Sequence, residues 1–311
     1  MGTCAVLGYG SQGSAIAQNL RDSGIEVIIG LRPGSKSRRK AKADGFAVAS
    51  NSTVAQAVRQ SQTIIFAFPD HSHKKTFLSD IQPNLSNQTL IFLHGTSIHF
   101  KLITPPNKVD VIMLAPHGPG LAVREKFVSG VSGMSAFWAI HQDISKLARL
   151  RLFTFAKAIG ISDKKKMFKT TFAEEAIGDL FGEQAVLCGG LTELIHAGFQ
   201  TLTESGIKPD NAYLEVCYQL DLIVDLIKRF GIAGMYKRIS VAAKYGALQT
   251  GPKLIDAGVK KRMKQALKKI ESGAFARELS ELSEKDITGL EKDLNRMTSN
   301  NFEKSAKKFS Q

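Results

Sequence analysis

The chain has 311 residues, 43% of them hydrophobic, which suffices for two domains of ordinary size, each with its own core. Its longest apolar runs, such as TIIFAFP at 63–69 and LIVDLI at 222–227, are far shorter than the roughly 18 residues of a membrane span, and its three scattered cysteines, Cys4, Cys188 and Cys217, suggest neither a disulfide framework nor a zinc site. The net charge is +14, but the basic clusters at 35–42, 163–169 and 259–269 are dispersed, so nucleic-acid binding is not expected as the main role.

At the N-terminus, MGTCAVLGYG has no basic segment before its apolar residues, and Val6 stands where a myristoylation signal needs Ser or Thr. A cytoplasmic protein is expected. The first half alternates short β-branched runs with helical patterns: TCAVLGYG (3–10), EVIIGLR (26–32), TIIFAFP (63–69), TLIFLHG (89–95), VDVIMLAP (109–116) and MSAFWAIH (134–141). Such continuous apolar runs, separated by helices, predict a parallel sheet covered on both faces. From about Thr171 the pattern changes to long helical segments without a convincing strand. Two domains are therefore expected, 1–170 and 171–311.

The first predicted turn, AVLGYGSQGSAIAQNL, spaces Gly8, Gly10 and Gly13 as G-x-G-x-x-G between a strand and a helix. That context identifies a dinucleotide-binding loop of Rossmann type. The first glycine permits the tight turn, the second lets a pyrophosphate approach, and the third allows close helix packing, with Tyr9, Ser11 and Gln12 in the same loop. A carboxylate about twenty residues further on would mark a free ribose 2'-hydroxyl. Here the second strand ends instead in Arg32, followed by Ser35, Lys36, Ser37, Arg38 and Arg39. Cations and hydroxyls suit a 2'-phosphate, so NADP(H) is predicted over NAD(H). Further candidate groups fall at the strand ends where ligands of open α/β sheets bind: Pro69, His94 with Gly95, and APHGPG from Ala115 to Gly120.

In the second half, GDLFGEQ places Asp179 and Glu183 four residues apart, on one face of a helix. Such a pair is either a solvated surface patch or a site for a hard cation. The segment DNAYLEVCYQLDLIVDLIKRFG (210–231) predicts a helix capped by Asp210, with an apolar stripe at Tyr213, Cys217, Leu220, Val224 and Ile227 and further apolar residues on most other faces. It is expected to be largely buried. Glu215 and Gln219 then form a second pair able to aim oxygen ligands one way, consistent with Mg2+. Asp221 and Asp225 are a rival pair, although Lys228 can pair with Asp225. The tail after Ser283 is polar and is expected as a loosely held helix or a partly disordered segment.

These stretches, together with GLRPGSKS, TTFAEEAIGDLFGEQAVLCGGLTELIHAGF, KYGALQTGPKLID and IESGAFARE, resemble the ketol-acid reductoisomerases, the acetohydroxy-acid isomeroreductases of branched-chain amino-acid (isoleucine and valine) synthesis. The resemblance covers nearly the whole chain and implies an α/β Rossmann-type domain followed by an all-α, knotted domain. It also implies at least a homodimer, with residues of one subunit available to complete the partner's site. The implied chemistry uses NADPH and two Mg2+ ions: an alkyl group of 2-acetolactate or 2-aceto-2-hydroxybutyrate migrates, and the resulting ketone is reduced. By position, Asp179 resembles the bridging metal ligand, Glu183 a ligand to one ion, and Glu215 a ligand in the second pair. Ser240 resembles the serine that holds the substrate carboxylate, and His94 the histidine near the reacting centre.

The departures from the family pattern are specific. Gln219 replaces a second glutamate, His117 a lysine in the AP-GPG loop, Lys244 a glutamate, Ser14 a histidine beside the third glycine, and Leu121 a polar residue. Loss of one carboxylate beside two dications predicts weaker Mg2+ binding, and a histidine titrates near pH 6.5, about where a lysine stays charged. The first strand begins at the N-terminus without the family's short leader, as expected of a truncated or diverged chain. Three activities are consistent with this pattern: a reductoisomerase with an adjusted metal site, a reductase of 2-keto acids that has lost the alkyl shift, or a non-catalytic NADPH-binding relative.

Overall fold

The computed structural model describes residues 1–47, 53–130, 134–297 and 300–309. Its sheet holds the six expected strands, β1 (Cys4–Leu7), β2 (Val27–Gly30), β3 (Thr63–Phe66), β4 (Thr89–Phe92), β5 (Asp110–Pro116) and β6 (Ala136–Gln142), and a seventh, β7 (Met167–Lys169). The order is β2-β1-β3-β4-β5-β6-β7. All neighbours pair in parallel except β5 and β6, which run antiparallel, so the expected parallel sheet carries one reversed connection. β7 lies in the run read from sequence only as a basic cluster; three residues with a single buried side chain, Met167, leave no periodicity to detect.

The apolar runs are strands because they bury alternate residues on opposite faces. Val6, Ile65, Ile91 and Ile112 enter one core cluster, whereas Ala5, Leu7, Ile64, Phe66, Leu90 and Phe92 enter the other. Both faces of β1, β3 and β4 are thus sealed, and ligands are left the strand ends.

One buried charge fastens the opposite end of the sheet. Asp110, 2% exposed at the start of β5, accepts hydrogen bonds from the Ile144 and Ser145 amides (2.8 and 3.0 Å), the Ser145 hydroxyl (2.6 Å) and Arg151 (2.7 Å). Burial alone would raise its carboxyl; the Ser145 hydroxyl, the two amides and Arg151 outweigh that and hold it below the usual carboxylate range.

The chain divides into two compact units, Met1–Gly178 with Gly273–Glu281, and Asp179–Ser272 with Leu282–Gln311. The second is entirely helical among its described residues. Its 210–231 segment departs from expectation three times. Asp210 does not cap it: Lys208 is the cap position and Asp210 is already helical, its carboxylate accepting from Ser305 and Lys308 instead. The segment is not one helix: Pro209–Tyr213 passes into a π-helical turn, Leu214–Tyr218, before Leu220–Tyr236 resumes and bends at Gly231 (φ 69°). Nor is it buried, because Leu222 is 63% and Val224 42% exposed. A helix apolar on most faces needs cover on most faces, and within one chain these residues find little.

The polar tail is more ordered than expected. It forms two helices, Glu284–Met297 and Asn301–Phe309, and the second packs its aromatic residues on Tyr213. Among the described residues, no helix is long and apolar enough to cross a membrane.

Asp110→Ala leaves the Ile144 and Ser145 amides without their acceptor and removes the Arg151 ion pair, and is expected to cost about 3 kcal/mol in chemical unfolding. The Asp110 contribution is complete above the unfolded carboxylate range and disappears as pH falls through the lowered native value, so the mutant's deficit should shrink in acid.

Candidate functional site

The glycine loop is built by close backbone approach. Gly8 extends the ladder through its amide to Gly30 O (3.0 Å) and adopts φ +95°, and a Cβ there would stand 2.4 Å from Ala67 O. A Cβ on Gly13 would lie 2.7 Å from Gly8 O, and one on Gly120 2.1 Å from Ser11 O. Gly120, first residue of the Gly120–Val128 helix, therefore shares the loop's constraint although it is far away in sequence. Above Gly10 the space is open: nothing lies within 4 Å of a Cβ built there.

This opening faces the start of the Ser11–Asp22 helix, which has no side-chain cap and no acidic residue in its first turn. Its first amides are available to an anion. Gln12 donates to Gly118 O (2.8 Å), while its buried Oε1 has no partner among the described residues. An open glycine and an uncapped helix fit the pyrophosphate of a dinucleotide, while the orphaned Gln12 oxygen fits only a donor, such as a ribose hydroxyl of the same cofactor. The Tyr9 side chain turns into the core and leaves its backbone at the loop. It is 2% exposed, and its hydroxyl donates to Asp44 (2.8 Å); burial first, then that carboxylate, push the phenol far above its usual range.

Arg32 and Ser35 occupy the loop after β2 and Ser37 opens the cationic helix Ser37–Ala43, with Arg32 exposed and both serines half-buried. A turn joins Ser35 N to Arg32 O (3.2 Å), and Arg38 donates to Leu31 O (3.1 Å). Lys40 reaches back to the Ser14 hydroxyl (3.2 Å), tying this cationic helix to the glycine loop at one of the departures from the family pattern. Leu121, another departure, is 67% exposed.

At the end of β3 Pro69 is exposed. At the end of β4 a group missed by the sequence reading appears. Glu175, 4% exposed, accepts a hydrogen bond from His94 Nδ1 (3.0 Å) and another from the Gly95 amide. A Cβ on Gly95 would sit 2.3 Å from Phe172 O, so only glycine lets the Phe172–Gly182 helix come this close. The carboxylate sets the His94 tautomer, with the proton on Nδ1. The available signal was spacing: Glu175 precedes Asp179 by one turn of the same helix. His73, also missed, is buried between the Ser97 hydroxyl and Phe68 O (2.8 Å each), joining the segment before Pro69 to the turn after His94. Burial lowers its pKa and keeps it neutral.

His117 is exposed at the end of β5. Its Nδ1 lies 2.9 Å from the Ser135 hydroxyl and its ring meets Phe137 edge-on (4.4 Å).

In the helical unit, Asp179 and Glu183 are both exposed, and Glu183 opens a π-helical turn, Glu183–Leu187. Glu215 lies in the other π turn, also exposed, and receives the Gln219 amide nitrogen on Oε2 (3.2 Å). All four donors offer oxygen, the chemistry a hard dication takes. Within this unit, however, no three described His, Cys, Asp or Glu side chains bring ligand atoms within 4.8 Å of one another. The rival Asp225 pairs with Arg229 (3.3 Å) rather than Lys228, because four residues rather than three bring the chains together here. Ser240 caps the Val241–Leu254 helix, its Oγ accepting from Ala243 N (3.1 Å); the hydroxyl hydrogen remains to be donated elsewhere.

A glycine-loop nucleotide fold followed by a helical unit rich in paired carboxylates defines a class, the dinucleotide-dependent oxidoreductases. Two family models match within it: "Acetohydroxy acid isomeroreductase, NADPH-binding domain" over residues 2–164, and "Ketol-acid reductoisomerase, C-terminal domain" over residues 172–311. The chain belongs to the ketol-acid reductoisomerase family.

It is 49% identical over 277 residues to the ketol-acid reductoisomerase (NADP(+)) of Pyrobaculum arsenaticum, covering 89% of this chain and 83% of that protein. With the enzyme of the same name from Corynebacterium jeikeium it shares 48% identity, over 88% of this chain and 80% of the relative. The structure of an NADH-preferring ketol-acid reductoisomerase from an uncultured archean superposes with a TM-score of 0.91 at 38% identity, covering 100% of this chain and 95% of that one.

Gly120→Ala drives a methyl into the Ser11 carbonyl and should displace the loop, weakening dinucleotide binding by about tenfold or more in a fluorescence titration. Unchanged affinity would show that the loop tolerates the shift.

Proposed function

We propose that this chain is an NADPH- and Mg2+-dependent ketol-acid reductoisomerase acting on 2-acetolactate and 2-aceto-2-hydroxybutyrate, with residues 1–170 as the nucleotide domain and 171–311 as the helical domain. The observation that carries the reading is the buried Glu175 bound to His94 and the Gly95 amide, one helical turn before Asp179. It places an oriented histidine at a strand end and starts the helix on which the first carboxylate pair is mounted.

NADPH supplies the hydride and Mg2+ the Lewis acidity that polarises adjacent oxygens. The protein's own groups do the rest. Gly10 and the amides of Ser11 and Gln12 would hold the pyrophosphate on a loop that Gly8 and Gly13 let fold tightly, Arg32, Ser35 and Ser37 would receive the 2'-phosphate, and Pro69 and Gly120 would border the cofactor. Asp179, Glu183, Glu215 and Gln219 are the metal-holding oxygens. His94, fixed by Glu175, is placed to move a proton at the reacting centre through its ring, and the Ser240 hydroxyl donates to the substrate carboxylate while still capping its helix. His117 faces the substrate from the loop after β5.

A homodimer is part of this proposal. Among the described His, Cys, Asp and Glu residues of one helical unit no three-ligand cluster forms, and its apolar side chains are widely exposed, Ile232 by 64% and Val241 by 80%. Burial of these side chains against a second copy, with Glu215 and Gln219 meeting the partner's first pair, answers both observations.

One observation favours a second reading, a reductase without the alkyl shift: Gln219 supplies no charge where the resemblance implies a second glutamate. NADPH oxidation should be followed with 2-acetolactate and with the rearranged 3-hydroxy-3-methyl-2-ketobutyrate, each with and without Mg2+. Turnover of both is expected; turnover of the rearranged acid alone establishes the second reading. Gln219→Glu restores a carboxylate and should lower the Mg2+ concentration required by about tenfold. Arg32→Asp should cost NADPH about tenfold or more in affinity and spare NADH, a comparison given point by the NADH-preferring structural relative.

A further inference from the structure

We propose that the C-terminal helix Asn301–Phe309 is a strap that positions the Glu215 turn, an inference that rests on the reading of Glu215 as a metal-holding residue.

A π-helical turn interrupts the regular α-helical repeat and re-aims the side chains it carries. Glu215 lies in such a turn, Leu214–Tyr218, is exposed, and receives the amide nitrogen of Gln219, the residue that follows the turn. Its direction therefore depends on how the two ends of the turn are anchored.

The C-terminal helix supplies that packing. Its Phe302, Ser305 and Phe309 recur at i, i+3 and i+7, one face of a helix. Phe302 meets Phe199 and Tyr213 edge-on, at 5.2 and 5.3 Å. Phe309 stacks on Tyr213 (5.9 Å, 10° between planes) and leans on Tyr218 (6.1 Å). Ser305, 2% exposed, donates to Asp210 (2.7 Å), and Lys308 donates to its other oxygen (2.6 Å). The strap thus grips positions 210, 213 and 218, residues on both sides of Glu215. Glu215 itself lies exposed between these anchor points. Anchors before and after an exposed ligand residue are the arrangement of a positioning device.

The test uses the full-length protein and Mn2+ as the probe, its binding followed by electron paramagnetic resonance, with NADPH affinity and helical content measured alongside. Phe309→Ala and, leaving the aromatic stack intact, Lys308→Met should each weaken Mn2+ binding about fivefold while NADPH affinity and helical content stay at the parental level. Phe309→Tyr keeps the ring and should retain parental Mn2+ affinity. Parental binding in both Phe309→Ala and Lys308→Met, in a protein where Glu215→Gln does weaken Mn2+ binding, overturns the strap alone. Parental binding in Glu215→Gln overturns the metal reading beneath it.

Discussion

A carboxylate taken out of water must be paired, and Glu175 is the one whose pairing organises the candidate site. Unpaired, its charge would cost several kcal/mol; here His94 and the Gly95 amide both point at one oxygen. That requirement draws the end of β4 and the start of the Phe172–Gly182 helix together, and Gly95 is the residue small enough to permit it. The histidine acquires a fixed tautomer from the same contact. Orientation of a reacting group and packing of a helix are thus one interaction.

The cofactor loop obeys a second constraint of the same kind, steric rather than electrostatic. Gly8, Gly13 and Gly120 each stand where a methyl group would meet a backbone oxygen at 2.1 to 2.7 Å, whereas Gly10 faces open space. Three glycines let the chain fold tightly onto itself, and the fourth leaves the surface bare for a ligand. With no acid or cap in the first turn, the helix dipole remains unsatisfied until an anion arrives.

The helical unit follows a different logic. Its candidate ligands are carried on or beside π turns, Glu183–Leu187 and Leu214–Tyr218, irregularities that recur at functional sites because they re-aim side chains at a cost in regular hydrogen bonding. Within one chain its apolar helices keep many exposed side chains, among them Leu222, Ile232 and Val241.

Residue identities and spacings by themselves determined the strand runs, the glycine loop, the cationic end of β2, the four-residue spacing of the carboxylates and the family. Those are local properties, written in nearest neighbours and in periods of two and 3.6 residues. The tertiary structure alone decided that Tyr9 turns into the core towards Asp44, that Ser240 caps a helix, that Asp225 takes Arg229, that β6 runs backwards, and that Glu175 and His73 hold the strand ends. Each of these depends on atoms brought together from distant parts of the chain, or on which of the partners within one turn the backbone favours. No periodicity records which buried group will need a hydrogen bond, because that need arises only when folding removes the water.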